Sequence, residues 1–188
     1  MPKLKAKVTL RAKNDASAEM DMQNAKVVMQ WTAKDADLDL MCFGKRKDGT
    51  DISVFTNKLG GSLGVIDANP FVKHTGDAGV DLGGDVEVEE LHIAKANEIE
   101  SLDVLVMNYT DAVEGKPSDF ATYGGDVVVE PDVGESMSIP LNDTKLGDVM
   151  VVCKIDGSGA KPKVVNTNDV MSIGEFASRY PGSKPMFE

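Results

Sequence analysis

Apolar residues occur in short runs along this chain, separated by polar clusters rich in Gly, Asp, Asn and Pro. Residues 8–10, 27–31, 38–43 and 52–56 have the length and the Val, Ile, Leu and aromatic content of strands. Lys47-Asp48-Gly49 separates the last two runs. An Asp-Gly step in that setting signals a hairpin, because glycine tolerates positive φ. Residues 14–24 are polar and read as a connection. Residues 86–93 alternate polar and apolar positions, as a half-buried strand does. Residues 102–109 are more continuously apolar and suit a central strand. Residues 127–129, 137–141, 149–155 and 163–165 complete the series. This succession of short strands and turns predicts an all-β fold, a β-sandwich of two packed, mostly antiparallel sheets.

Two segments break the rhythm. Residues 57–85 are rich in glycine and poor in β-formers, and a connection of that length inside a compact domain is usually functional. Near the C-terminus, Ser172 and Glu175 have capping-box spacing. There the serine hydroxyl accepts from the Glu175 N–H, and the carboxylate reaches back to the Ser172 N–H. Met171 and Phe176 take the flanking staple positions, and Pro181-Gly182 is a stop signal. A short helix over 173–179 follows. The chain reads as one domain, 1–188, with its core in about 25–166 and a short helix and tail in 167–188.

Composition sharpens this picture. The 188 residues include few aromatics, so the core leans on Val, Leu, Ile and the ten Met. The formal charge of −11 disfavours nucleic acid and anionic lipid, and favours cations and basic partners. Cys42 and Cys153 lie in apolar strand-like runs without a Cys-x-x-Cys pair. They are expected to be free, buried thiols, neither a disulfide nor a zinc site. No apolar stretch approaches the length of a membrane span, and the expected location is cytoplasmic.

Candidate chemistry sits in two acidic clusters. In Asp35-Ala36-Asp37-Leu38-Asp39-Leu40, strand alternation turns Asp37 and Asp39 to one face and Leu38 and Leu40 to the other. Neighbouring carboxylates on one face repel, so water, a basic partner or a metal must offset them. The second cluster, residues 74–87, holds Asp77, Asp81, Asp85 and Glu87 among Gly76, Gly79, Gly83 and Gly84, with no Lys or Arg. Such a loop offers carboxylates and freely aimed carbonyls, the oxygen ligands that calcium takes; magnesium takes fewer from protein. The Asp spacing does not match an EF-hand. Asp and Gly are also common turn residues, so composition alone leaves a plain surface loop open.

The ordered series Asp37-Leu38-Asp39-Leu40, Phe55-Thr56-Asn57, His74-Thr75-Gly76-Asp77 and Gly84-Asp85-Val86-Glu87 resembles the motifs of the TerD family, the tellurium-resistance and general stress proteins. The resemblance spans roughly residues 25 to 155 and is strongest over 37–109. It implies a calcium-binding β-sandwich. Its side-chain ligands would be Asp37, Asp39, Asp77, Asp85 and Glu87, with Asp81 a further candidate. Asn57, His74, Gly76 and Gly83 would support the loop. Where the family has paired aspartates, this chain has Asp85-Val86. One calcium ion is therefore expected, and a second is left open.

Catalytic signatures are sparse. His74 and His92 are the only histidines, and His92 shares a strand face with Glu90, as a satisfied strand histidine would. There is no Gly-x-Ser-x-Gly elbow and no phosphate-binding glycine motif in a strand-to-helix context. The expected function is a non-enzymatic stress-response module whose calcium-ordered acidic loop supports contact with a protein partner or self-assembly. The alternative is a structural subunit of a larger assembly, a virion or a stress complex, using the same sandwich as a scaffold.

Overall fold

A computed structural model describes residues 6–76 and 86–188. The strands are β1 (Lys7–Thr9), β2 (Asn24–Trp31), β3 (Leu38–Arg46), β4 (Asp51–Val54), β5 (Gly64–Val65), β6 (Val72–His74), β7 (Glu87–Ala94), β8 (Ile99–Asn108), β9 (Asp126–Pro131), β10 (Ser136–Pro140), β11 (Val149–Asp156) and β12 (Lys163–Met171). Two short α-helices, α1 (Tyr109–Val113) and α2 (Ile173–Arg179), join them. A seven-stranded sheet has the order β1-β10-β9-β2-β7-β6-β5, and a five-stranded sheet the order β12-β11-β8-β3-β4. Every pairing is antiparallel except β1 with β10. The all-β sandwich expected from the strand pattern is therefore present, with its short C-terminal helix.

The alternation in the sequence decides which face each sheet buries. Val27, Met29, Leu91, Ile93, Val127 and Val129 of the larger sheet meet Leu38, Leu40, Cys42, Val104, Val106 and Val152 of the smaller one. The outer face of the larger sheet carries Lys26, Gln30, Glu90 and His92, none of them buried. The outer face of the smaller sheet is apolar. Met41, Phe43, Leu105, Met107, Val149 and Val151 lie there beneath Phe176, Tyr180 and Met186 of the C-terminal segment. This explains the near-continuous apolar run in β8: Val104 and Val106 face the inner core, Leu105 and Met107 the outer one.

Helix α2 begins as its sequence signals predict. The Glu175 N–H donates to Ser172 Oγ at 3.2 Å, and the Ser172 N–H donates to the Glu175 carboxylate at 3.0 Å. The Asp48-Gly49 step forms the β3–β4 turn, with Gly49 at φ 87°. Strand β12 runs well past Val165, although Asn166, Thr167, Asn168 and Asp169 are polar. An edge strand can carry such residues, and here the N-terminal segment covers it. Ala16 bridges Val165, and the buried Asn166 donates through Nδ2 to the Leu10 carbonyl at 2.9 Å. Residues 7–17 thus pair with β10 in one sheet and β12 in the other, closing that side of the sandwich.

Cys42 and Cys153 are free and buried. Both are opposite Val104 from the two sides of β8. Two strand spacings, about 9 to 10 Å, separate them, which is beyond the reach of a disulfide. Burial raises both thiols' pKa, that of Cys153 to about 12, so neither supplies thiolate at neutral pH. No helix among the described residues is long and apolar enough to cross a membrane.

Candidate functional site

Strand direction places the acidic residues. The β2–β3, β4–β5 and β6–β7 connections leave the strands at the same end, the end where β3 begins and β8 finishes. Asp37 lies just before β3, exposed, and Asp39 is the second residue of the strand, only 6% exposed. As predicted, Leu38 and Leu40 enter the inner core while Asp39 takes the other face, which it shares with Met41 and Phe43. The turn before them is held by Trp31, 1% exposed, whose Nε1–H donates to the Ala36 carbonyl at 2.9 Å. Trp31 is therefore a core anchor that fixes the approach of the Asp37–Asp39 stretch.

Glu89 is the site residue that the motif series does not identify. Glu87, Glu89, Leu91 and Ile93 alternate along β7, and the last two are core residues. Strand parity therefore forces Glu89 inward, and it is 1% exposed. Its Oε2 accepts the Leu40 N–H at 2.7 Å. Strand β4 pairs with β3 only from Cys42 onward, so this N–H lies beyond the β3–β4 ladder. A carboxylate from the opposite sheet satisfies it, tying the start of β3 to β7. Glu87 lies two residues nearer the sheet end, half-buried and opposite Trp31 of β2.

His74 closes β6 and is fully buried. Its Nδ1 accepts the Gly76 N–H at 2.9 Å, which puts the ring proton of the neutral form on Nε2. That nitrogen is 3.5 Å from Glu89 Oε2 and makes no hydrogen bond. Gly76, two residues on, has φ 105°, which glycine adopts readily. The His74 ring is thus held by the backbone of Gly76. Asn57 is exposed in a single 3-10 turn and accepts the Gly60 N–H through its carbonyl at 3.1 Å. Asp77, Asp81, Gly83 and Asp85 lie outside the described residues.

The electrostatics of this end are unfavourable for charge at Asp39. Burial, then the carboxylates of Glu89 and Asp37, push the Asp39 pKa from 3.8 up to about 8. The Tyr109 backbone N–H and the Lys58 ammonium oppose the shift without cancelling it. Asp39 is therefore a carboxyl that favours its protonated form near neutrality. Among the described residues, no three His, Cys, Asp or Glu side chains form a group able to hold a metal ion.

On the outer face, His92 Nε2 is 2.9 Å from Glu90, and Lys26 Nζ is 3.7 Å from the same carboxylate. His92 is thus a satisfied strand histidine, as its position suggested. No family model, curated protein or solved structure matches the chain.

Proposed function

We propose that this chain is a calcium-binding, non-enzymatic module of the tellurium-resistance, stress-response kind, whose acidic end engages a protein partner once the ion is bound. The observation that supports this reading is the buried Asp39 carboxyl, acted on by the charges of Glu89 and Asp37 at the sandwich end from which the acid-rich β6–β7 connection departs. A cation there relieves the mutual repulsion that the fold otherwise tolerates by keeping a proton on Asp39. The donors are all oxygen, which suits a hard cation, and so many candidate carboxylates suit calcium's six to eight oxygen ligands better than magnesium, which takes fewer from protein.

In this proposal Asp37 and Asp39 bind the ion directly. Glu89 already spends one oxygen on the Leu40 N–H and acts chiefly by holding β3 in place. The remaining side-chain ligands are Asp77, Asp85 and Glu87, with Asp81 available, and backbone carbonyls and water complete the shell. One ion is expected. Its binding would fix the loop and neutralise part of a strongly negative surface, leaving a shaped face for a partner.

Isothermal titration calorimetry tests the reading. The protein should bind calcium with a measurable heat at sub-millimolar ion, and magnesium should bind far more weakly. Asp37→Asn should weaken binding and Asp39→Asn should abolish it. No heat at millimolar calcium would remove the proposal.

A further inference from the structure

The C-terminal segment forms the underside of the acidic end. Helix α2 and the 3-10 turns of Pro181–Phe187 lie across the outer face of the smaller sheet. Phe43 of β3 stacks with Tyr180 at 5.3 Å and with Phe176 at 5.8 Å between ring centroids. Polar contacts fasten the segment along its length. Tyr180 Oη donates to Asp103 at 2.8 Å, Arg179 to Asp169 at 2.7 Å, and Ser53 Oγ to the Gly182 carbonyl at 3.1 Å.

Three contacts lead from this segment to Asp39. Asp39, Met41 and Phe43 alternate on one face of β3, so the carboxyl is continuous with the surface that the segment covers. Tyr109, whose N–H bonds Asp39, packs its side chain against the same cluster. Leu59 packs there too, next to Lys58, the ammonium that acts on Asp39. Gly60 follows at φ 80°, and a Cβ on it would sit 2.8 Å from the Pro185 carbonyl oxygen. The end of the segment therefore abuts the loop that carries Lys58.

We infer that residues 173–187 are a positioning strap for the cation site: docked, the strap holds Tyr109 and the 56–60 loop against Asp39. This inference rests on the calcium reading above. The strap is one short helix and a few turns held by three aromatic or Met anchors, an element able to detach while the sandwich stays folded. Coupling of binding free energies is reciprocal, so a bound cation must fasten the strap to the same degree that the docked strap favours the cation.

Tryptic cleavage of the full chain after Arg179 reports strap opening, and cleavage after the exposed Lys13 is the internal reference for general stabilisation. Saturating calcium should slow cleavage after Arg179 by about fivefold or more, the lower end of ordinary coupling, and leave Lys13 cleavage unchanged. Tyr180→Phe removes only the hydroxyl that bonds Asp103, and Gly60→Ala pushes the loop from Pro185. Both variants should bind calcium about fivefold or more weakly by calorimetry. If calcium binds the wild type but slows both cleavages equally or neither, and both variants keep wild-type affinity, the strap has no such role and the calcium reading stands. If the wild type binds no calcium, both readings fall together.

Discussion

Raising the pH from about 5 to about 8 should destabilise the protein in the presence of EDTA, and Asp39→Asn should abolish that loss. The folded-state pKa of Asp39 is raised from 3.8 to about 8 by burial and by Glu89 and Asp37. Between those two values the folded state keeps a proton that the unfolded chain has released. Stability therefore falls as pH rises through this window, and the full cost is present above it. At 1.36 kcal/mol per pKa unit, the upper limit is on the order of 5 kcal/mol. Asn is isosteric, can still accept the Tyr109 N–H and carries no charge. At about pH 8 the cation-free Asp39→Asn protein should therefore be more stable than wild type by a few kcal/mol. Calcium should narrow that difference, stabilising the wild type by about 2.7 kcal/mol at a hundredfold excess over Kd and leaving the variant unchanged. Urea denaturation at the two pH values, with EDTA or with calcium, measures all of this. A wild type whose EDTA-state stability is flat or rises toward pH 8 would contradict the electrostatic account of the site.

Arg46→Ala should cost about 3 to 5 kcal/mol, without altering the response to calcium. Arg46 ends β3, is 1% exposed, and bonds the Pro70 carbonyl at 3.0 Å, the Lys95 carbonyl at 2.8 Å and the Glu98 carboxylate at 3.3 Å. Its guanidinium also stands 5.0 Å from the centre of the Phe71 ring. One side chain thus ties β3 of the smaller sheet to the β5–β6 connection of the larger one and to the β7–β8 connection between the two sheets. Alanine leaves a cavity and takes the donors from two part-buried carbonyl bonds. Seven strand residues, about 23 Å, separate Arg46 from Asp39, so calcium affinity should be unaffected. A loss below about 1 kcal/mol in a urea melt would show that water replaces the guanidinium at little cost.

Much of this architecture is legible from hydrophobic spacing, because each strand of a sandwich meets a different environment on each face. The alternation in 86–93 and the apolar run in 102–109 correspond to β7, with one open face, and β8, with none. The capping residues of α2 were equally legible, since Ser172 and Glu175 interact locally. The strand pattern of β12 stops at Val165 in the sequence, because Asn166 is buried only where the distant N-terminal segment brings it the Leu10 carbonyl. The sequence of 57–85 suggests one long connection, yet its described part contains β5 and β6, whose few residues carry too little pattern to be seen. At the site, the Asp37–Asp39 pair was visible as a repelling doublet. Glu89 was hidden beside the better-matching Glu87, and only its parity with Leu91 and Ile93 marks it as buried. The burial of Asp39 could not be read from β3 alone, because the cover over that face comes from residues far along the chain.

A crystal structure of the full chain grown with calcium tests the central claim most directly. The account predicts one strong anomalous peak beside Asp39, with its carboxylate and that of Asp37 among six to eight oxygen ligands at about 2.3 to 2.6 Å. An ordered acidic end with Asp39 bonded only to protein or water at saturating calcium would contradict it.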